Sequence, residues 1–154
     1  MCGELGDAER DRALHEENLV RARALGNERM EAVSLSVLAS FVREDGRIEE
    51  ALSMLNEAYL IARDLGDRVE SADILSRFAD ILASAQRPTT AAHLLSCSET
   101  LRDEFGTERS WVASRNEETL ARIGAQLDEA AFAQAWEQGR ALTPDDAVAL
   151  ALES

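Results

Sequence analysis

The chain has 154 residues, of which 45% are hydrophobic and only 5% aromatic, and a formal net charge of −14. Such an acidic chain repels nucleic-acid phosphates and anionic lipid, so we expect no direct nucleic-acid or membrane binding. Only two prolines occur, and most apolar residues are alanine or leucine, which favour helices. Length and composition therefore predict one all-α domain.

The cysteines indicate the cellular compartment, and the basic residues indicate the kind of source organism. Cys2 and Cys97 are far apart and show no pairing pattern, which favours a reduced, cytoplasmic environment. No apolar stretch reaches membrane-spanning length, and the first residues lack the basic and apolar regions of a signal peptide. All sixteen basic residues are arginine, which is typical of a GC-rich bacterial genome.

A glycine followed by a capping residue recurs every forty residues, as Gly26-Asn27, Gly66-Asp67 and Gly106-Thr107. Glycine supplies the left-handed turn that ends one helix, and the next side chain caps the following helix. Constant spacing of this kind indicates a repeat array. We expect a single domain of four units: a partial unit at 7–26, repeats at 27–66 and 67–106, and a degenerate repeat with a C-terminal cap at 107–154.

The first three helices are predicted at about 7–25, 27–45 and 48–65. The first has no sharp apolar stripe, whereas the other two carry apolar residues at three- and four-residue steps. Because one helix ends and the next begins within a few residues, the second and third form a helix-turn-helix pair.

The next pair copies this one without a gap. Asp67 and Glu70 predict a capping box at the start of its first helix. Gln86-Arg87 replaces the Gly46-Arg47 turn, and Pro88 suits the first position of the second helix. Ungapped agreement over forty residues indicates duplication of the pair.

The third unit departs from the pattern. Arg115 and Thr119 stand forty residues after Leu75 and Ala79, where apolar residues are expected. The apolar face of this helix is instead predicted from Trp111, Val112, Leu120, Ile123 and Leu127. Two short helices led by Asp128 and by Thr143-Pro144 then complete about seven or eight helices. Terminal units of a repeat array often depart from the repeat pattern, because one of their faces has no neighbouring unit to pack against.

The repeated pair resembles a tetratricopeptide-type repeat. The first copy has its apolar, small and turn positions at Leu35, Leu38, Ala39, Val42, Gly46, Ala51, Leu55 and Ala58. The second copy has Leu75, Phe78, Ala79, Leu82, Gln86, Ala91, Leu95 and Ser98. The resemblance implies an α-solenoid of antiparallel helix pairs that binds protein or peptide partners. The pitch of forty residues implies longer helices than the family's usual thirty-four.

Nearly the whole chain is also similar to the C-terminal helical region of large bacterial STAND-type ATPase regulators with LuxR-type or SARP-type DNA-binding domains. The stretches 91–102, 132–136 and 139–143 with Ala147-Val148 carry this likeness, and Gly139-Arg140 before an alanine-rich helix is its most specific part. The segment after Gly106 departs from the family. The resemblance implies a repeat portion that works with the ATPase and DNA-binding modules of a parent regulator.

No residue pattern indicates catalysis, a cofactor or a metal. The two histidines, His15 and His93, are too few for a zinc site. The adjacent acidic pairs fall at helix starts or solvent faces, which does not suit general acid–base work. We therefore expect a protein that is not an enzyme.

The first helix of each pair is expected to line a concave face. Counting from the repeat pattern, the side chains predicted to point there are Val33, Ser36, Ser40, Arg43, Asp73, Ser76, Asp80 and Ser84. Small polar residues would leave room for an extended peptide or helix. We consider a protein-interaction or signal-sensing module first, and a peptide or small-ligand receptor fragment as the alternative. An open apolar face on the first helix also predicts a homodimer through the N-terminal end.

Overall fold

The computed structural model describes residues 2–103 and 110–153, with side chains described at 7–103 and 115–153. All regular structure in these ranges is helical, as predicted. The helices are α1 (Cys2–Leu25), α2 (Glu28–Glu44), α3 (Ile48–Asp64), α4 (Arg68–Ser84), α5 (Pro88–Asp103), α6 (Ser110–Gln126), α7 (Glu129–Arg140) and α8 (Pro144–Glu153). In this part of the chain no helix is both long and apolar enough to cross a membrane.

The helices pack as stacked pairs, which confirms the predicted all-α solenoid. α2 packs on α3, and α4 on α5, each pair joined by a short turn. α4 also contacts α2, α3 and α6, so it lies at the centre of the array. The division of the chain at residues 26, 66 and 106 stays a prediction.

The core is continuous through the stacked pairs. Its largest fully buried side chains lie mostly on α4 and α5, and they are Phe78, Leu35, Leu52, Leu55, Ile74, Leu75, Ile81, Leu82, Leu94, Leu95, Ile123 and Thr119. Burying one large apolar side chain stabilises a fold by about 1.5–3 kcal/mol. Each pair therefore depends on its neighbours for stability. The predicted apolar residues Phe105, Trp111 and Val112 lie outside the described side chains.

The caps predicted from sequence form, with one correction. Asn27 and Asp67 accept hydrogen bonds from the backbone N–H groups of Met30 and Glu70, at 3.2 and 3.0 Å. The Glu70 carboxylate does not complete the predicted capping box. It accepts a hydrogen bond from Ser36 Oγ at 3.3 Å instead, because α2 packs beside the start of α4.

The turns between helices use a left-handed residue. Gly26, Gly46 and Gly66 have φ of 69°, 85° and 70°, and Gln86 has the same conformation with φ of 61°. After Gln86, the Arg87 N–H donates to the Leu82 carbonyl at 2.9 Å, as in the equivalent turn at Gly46. Gln86 therefore replaces the turn glycine without changing the turn.

We expect Gln86→Gly to stabilise the protein by about 1 kcal/mol, because a side chain with positive φ costs about 1–2 kcal/mol. The reverse change, Gly46→Gln, should destabilise by a similar amount, since a Cβ at Gly46 meets nothing within 4 Å and only backbone strain is added. Urea unfolding of both variants measures the two effects. Equal midpoints for wild type and Gln86→Gly would contradict this explanation.

The C-terminal helices depart from the repeat. α7 packs on α5 and makes only slight contact with α6, while α8 turns back onto α5, α4 and α3. Tyr59 of α3 donates a hydrogen bond of 2.5 Å to Asp145 at the start of α8, and Arg63 lies 3.4 Å from the same carboxylate. α8 is therefore tied to the middle of the array.

Candidate interaction surface

The eight residues predicted to line the concave face lie on α2 and α4, and their exposure differs. Ser36, Ser76 and Asp80 are buried, Ser40, Arg43 and Asp73 are half-buried, and Val33 and Ser84 are exposed. The expectation of an open face of small polar residues therefore needs correction at the three buried positions. Their side chains bind neighbouring helices, and the assignment of the face as a partner-binding surface stays a prediction.

Asp80 links three successive first helices. Its carboxylate lies 3.4 Å from Nη1 of Arg43 on α2 and 2.7 Å from Nη1 of Arg122 on α6. Ser84, one turn further along α4, accepts hydrogen bonds from the same two guanidinium groups at 2.9 and 3.3 Å. One buried carboxylate and one hydroxyl on α4 thus hold α2, α4 and α6 together.

Asp73 makes a second link two turns before Asp80. Arg77 Nε donates to one of its oxygens at 3.0 Å, and Arg115 Nη2 donates to the other at 2.6 Å. Burial acts to raise the pKa of Asp73, but the two arginines outweigh it and hold the pKa below its usual range. Arg77 also donates to Ser40 Oγ on α2 at 3.2 Å. We call Arg43, Arg77, Arg115 and Arg122, with Asp73 and Asp80, the arginine ladder.

Arg115 and Thr119 of α6, which stand where the repeat pattern predicts apolar residues, lie on the side of α6 that contacts α4. Arg115 also donates to Ser76 Oγ at 3.0 Å, and buried Asn116 shares a hydrogen bond of 2.5 Å with that hydroxyl. Thr119 is fully buried beside Asp80. The repeat pattern did not indicate that Arg77, Arg115 and Arg122 belong to this surface. Polar residues at the expected apolar positions of α6 were the available signal.

The ladder has more positive than negative charge. Its four guanidinium groups face the carboxylates of Asp73 and Asp80, with Glu70 beside them, in a chain whose formal net charge is −14. Burial lowers the pKa of Arg115, but arginine stays protonated near neutral pH. Guanidinium groups bind carboxylates through paired N–H donors. The ladder can therefore accept a further anionic group at its exposed edge.

That edge opens into a groove between α4 and α6. The groove has a volume of about 710 Å³ and is lined by Ala83, Ser84, Gln86, Arg122, Ala125 and Gln126. Arg122 is the most exposed arginine of the ladder, with 43% of its side chain accessible. A segment lying in the groove would therefore meet Arg122 before the three half-buried arginines.

Glu70 is a half-buried carboxylate beside the ladder, and its ionisation should weaken the fold. Burial raises its pKa, with a further contribution from Asp73. Because the unfolded chain releases this proton at a lower pH than the folded chain, the contribution of Glu70 to stability falls as pH rises above about 4.3.

We therefore expect Glu70→Gln to raise the free energy of unfolding at pH 7 and to have little effect at pH 4. The amide oxygen can still accept the hydrogen bond from Ser36. Chemical unfolding of both proteins across this pH range is the measurement. A gain that is the same at both pH values would mean that ionisation of Glu70 is not the cause.

The residues considered for chemistry have structural contacts. Cys97 is buried, and burial raises its pKa to about 11, so that the thiol stays protonated at neutral pH. His93 Nε2 shares a hydrogen bond with Gln138 Oε1 at 2.9 Å between α5 and α7. Across the described residues, His, Cys, Asp and Glu form no cluster that could hold a metal ion.

Comparison with known proteins agrees with the stacked pairs. Residues 30–104, which cover α3, α4, α5 and most of α2, match the family model described as tetratricopeptide repeat. The chain carries a tetratricopeptide-like repeat region. Such repeats generally mediate protein–protein interaction and are generally non-catalytic. Searches of curated proteins and of solved structures found no match.

Proposed function

We propose that this chain is a non-catalytic protein-interaction module that holds an acidic segment of a partner in the groove beside the arginine ladder. The excess of arginine over carboxylate in the ladder carries this proposal. In a chain with a formal net charge of −14, such a local excess attracts a carboxylate only at short range. Ser84 and Arg122 are the proposed contact residues in the groove, and Val33, Ser40 and Arg43 are proposed contacts on the neighbouring face of α2.

The open shape of the groove favours an extended peptide over a small ligand. Small-molecule sites are concave and bury most of the ligand, whereas this groove runs between two helices and is lined by small and polar side chains. The alternative function was a receptor for a peptide or for a small ligand. Of these two, the surface favours the peptide receptor. Ser40 and Ser84, which are not buried, would serve as hydrogen-bond partners of the peptide backbone.

The cellular setting that we propose is a bacterial, cytoplasmic transcriptional regulator. The support is the similarity of 91–102, 132–136 and 139–143 with Ala147-Val148 to the helical region of STAND-type regulators. The partner would bind two states of the regulator with different affinity and so shift their populations. Sequencing the DNA next to this coding region tests the setting, and a neighbouring frame for an ATPase with a DNA-binding domain is expected.

Arg122→Glu tests the groove. We expect this change to reduce capture of the native partner at least tenfold, because it places a carboxylate where a partner carboxylate would bind. Arg140→Glu is the matched control, since Arg140 is exposed on α7 and pairs only weakly with Glu137, at 3.8 Å. Quantitative mass spectrometry of partners captured from the native cell is the readout. Equal loss from both variants, or loss from neither, would contradict the proposal.

Self-association through the N-terminal end is a separate proposal. Leu14, Val20 and Leu25 of α1 are exposed by 52%, 70% and 73%. Leu14 and Leu25, eleven residues apart, fall on one side of the helix, and a contiguous exposed apolar surface favours association of two copies. We expect a dimer in sedimentation velocity that Leu14→Glu reduces to a monomer. A wild-type monomer at high concentration would contradict this expectation.

A further inference from the structure

The last two long helices of the array leave a cleft between them. α6 and α7 make only slight contact, since α6 packs mainly on α4 and α7 packs on α5. The cleft has a volume of about 500 Å³. Its lining residues are Leu120, Gly124, Leu127, Asp128, Glu129, Phe132 and Ala133.

The walls of the cleft are two apolar helical stripes. Leu120, Gly124 and Leu127 recur at four- and three-residue steps on α6, and Phe132 and Ala133 face them from α7. Gly124 has no side chain, and a Cβ placed there meets nothing within 4 Å. The middle of the cleft is therefore open to a side chain from outside.

The way the other helices of the array pack indicates that the two walls of the cleft suit a helix. α4 lies against α2 and α3, and α6 lies against α4 and α5, so the first helix of each unit packs on the preceding pair. α8 breaks this order, because it packs on α5, α4 and α3. By the same order a further first helix would pack against α6 and α7. Unlike α2 with α3 and α4 with α5, these two helices make only slight contact, and the cleft lies open between them.

The charge around the cleft indicates which kind of helix fits. Asp128 and Glu129 lie at one end of the lining, and the rest of the lining is uncharged. Exposed Glu117 stands one turn before Leu120 on the same stripe of α6. A helix with an apolar stripe and basic residues at its ends complements these charges.

We propose that the cleft between α6 and α7 is a second docking site, which takes a basic amphipathic helix of a partner protein. This site is separate from the groove of the proposed function, because Arg122 and Gln126 of α6 line the groove, while Leu120, Gly124 and Leu127 line the cleft. Apolar side chains of the bound helix enter beside Gly124, and its basic residues pair with Glu129 and Glu117.

A synthetic helix tests the site on the intact chain. The probe is a fluorescent 18-residue peptide with leucine on one face and four arginines flanking it, and the matched peptide has glutamate in place of arginine. We expect the basic probe to bind in anisotropy titrations and the acidic one to bind at least tenfold more weakly. Gly124→Gln fills the cleft without a change of charge, and it should weaken the basic probe at least tenfold.

Two charge reversals on α7 separate docking from general attraction to an acidic protein. Glu129→Arg lies in the lining and should weaken binding about fivefold, whereas Glu137→Arg changes the net charge equally, lies outside the lining, and should leave binding within twofold. Equal effects of the two reversals, or an unchanged affinity for Gly124→Gln, would overturn the proposal. A wild-type dimer that Gly124→Gln abolishes would also overturn it, since the occupant would be a second copy. Arg122→Glu should not affect this probe, so failure of the groove and failure of the cleft are distinguishable.

Discussion

Gly139→Ala should destabilise the protein by about 2 kcal/mol or more, since an added Cβ has no space and overpacking costs about 1–3 kcal/mol. A Cβ at Gly139 would lie 2.7 Å from the His93 carbonyl oxygen, 2.9 Å from His93 Cα and 2.8 Å from Ser96 Cβ. Two of these atoms belong to the α5 backbone, so relief requires α7 to move away. That movement would also strain the 2.7 Å hydrogen bond from Ser96 Oγ to the Trp136 carbonyl.

Gly124→Ala is the matched control for this prediction. Gly124 is also a helical glycine, but a Cβ there meets nothing within 4 Å. Alanine should therefore stabilise α6 by about 0.5–1 kcal/mol through its higher helix propensity. Urea unfolding of both variants gives the two values. A loss at Gly139 that is no larger than the change at Gly124 would show that α5 and α7 do not pack this closely.

Asp80→Ala should destabilise the protein by about 3 kcal/mol, because removal of one partner of a buried ion pair leaves the other charge uncompensated. The variant leaves Arg43 and Arg122 without their shared carboxylate, and it removes this polar link between α4 and both neighbouring first helices. Chemical unfolding followed by circular dichroism measures the loss.

Glu49→Ala provides a control with the same ion-pair distance. Glu49 lies 2.7 Å from Arg87, as Asp80 does from Arg122, but the Glu49 side chain is 71% exposed and that of Asp80 only 11%. Exposed pairs contribute about 0–1 kcal/mol. If the two variants lose the same stability, the ladder is not a buried link between helices.

Local rules predicted the helix pairs because each turn is encoded by a few adjacent residues. Gly26-Asn27 and Gly66-Asp67 marked two helix boundaries, and the forty-residue match placed Gln86 at the left-handed position that the structure shows. Gly139 was singled out by resemblance alone. Glycine is needed at position 139 because α7 packs closely on α5 there, and this contact depends on tertiary packing.

The candidate surface was predicted only in part, because its contacts join residues about forty positions apart. Sequence placed Asp73, Asp80 and Ser84 on one face, but did not indicate that Arg115 and Arg122 would cross from α6 to meet them. The return of α8 to the middle of the array and the separation of α6 from α7 were missed for the same reason. Long-range packing decides both, and no local motif marks either.

The most direct test of the interaction surface compares two equally exposed positions. Val33 lies on α2 at the predicted concave face and is 37% exposed, whereas Leu60 lies on α3 and is 38% exposed. A photo-crosslinking amino acid is placed at one position or the other, and the native cell is irradiated. We expect a discrete crosslinked partner from position 33 that Arg122→Glu removes, and none from position 60. A partner crosslinked from position 60 alone, or equally from both positions, would contradict it.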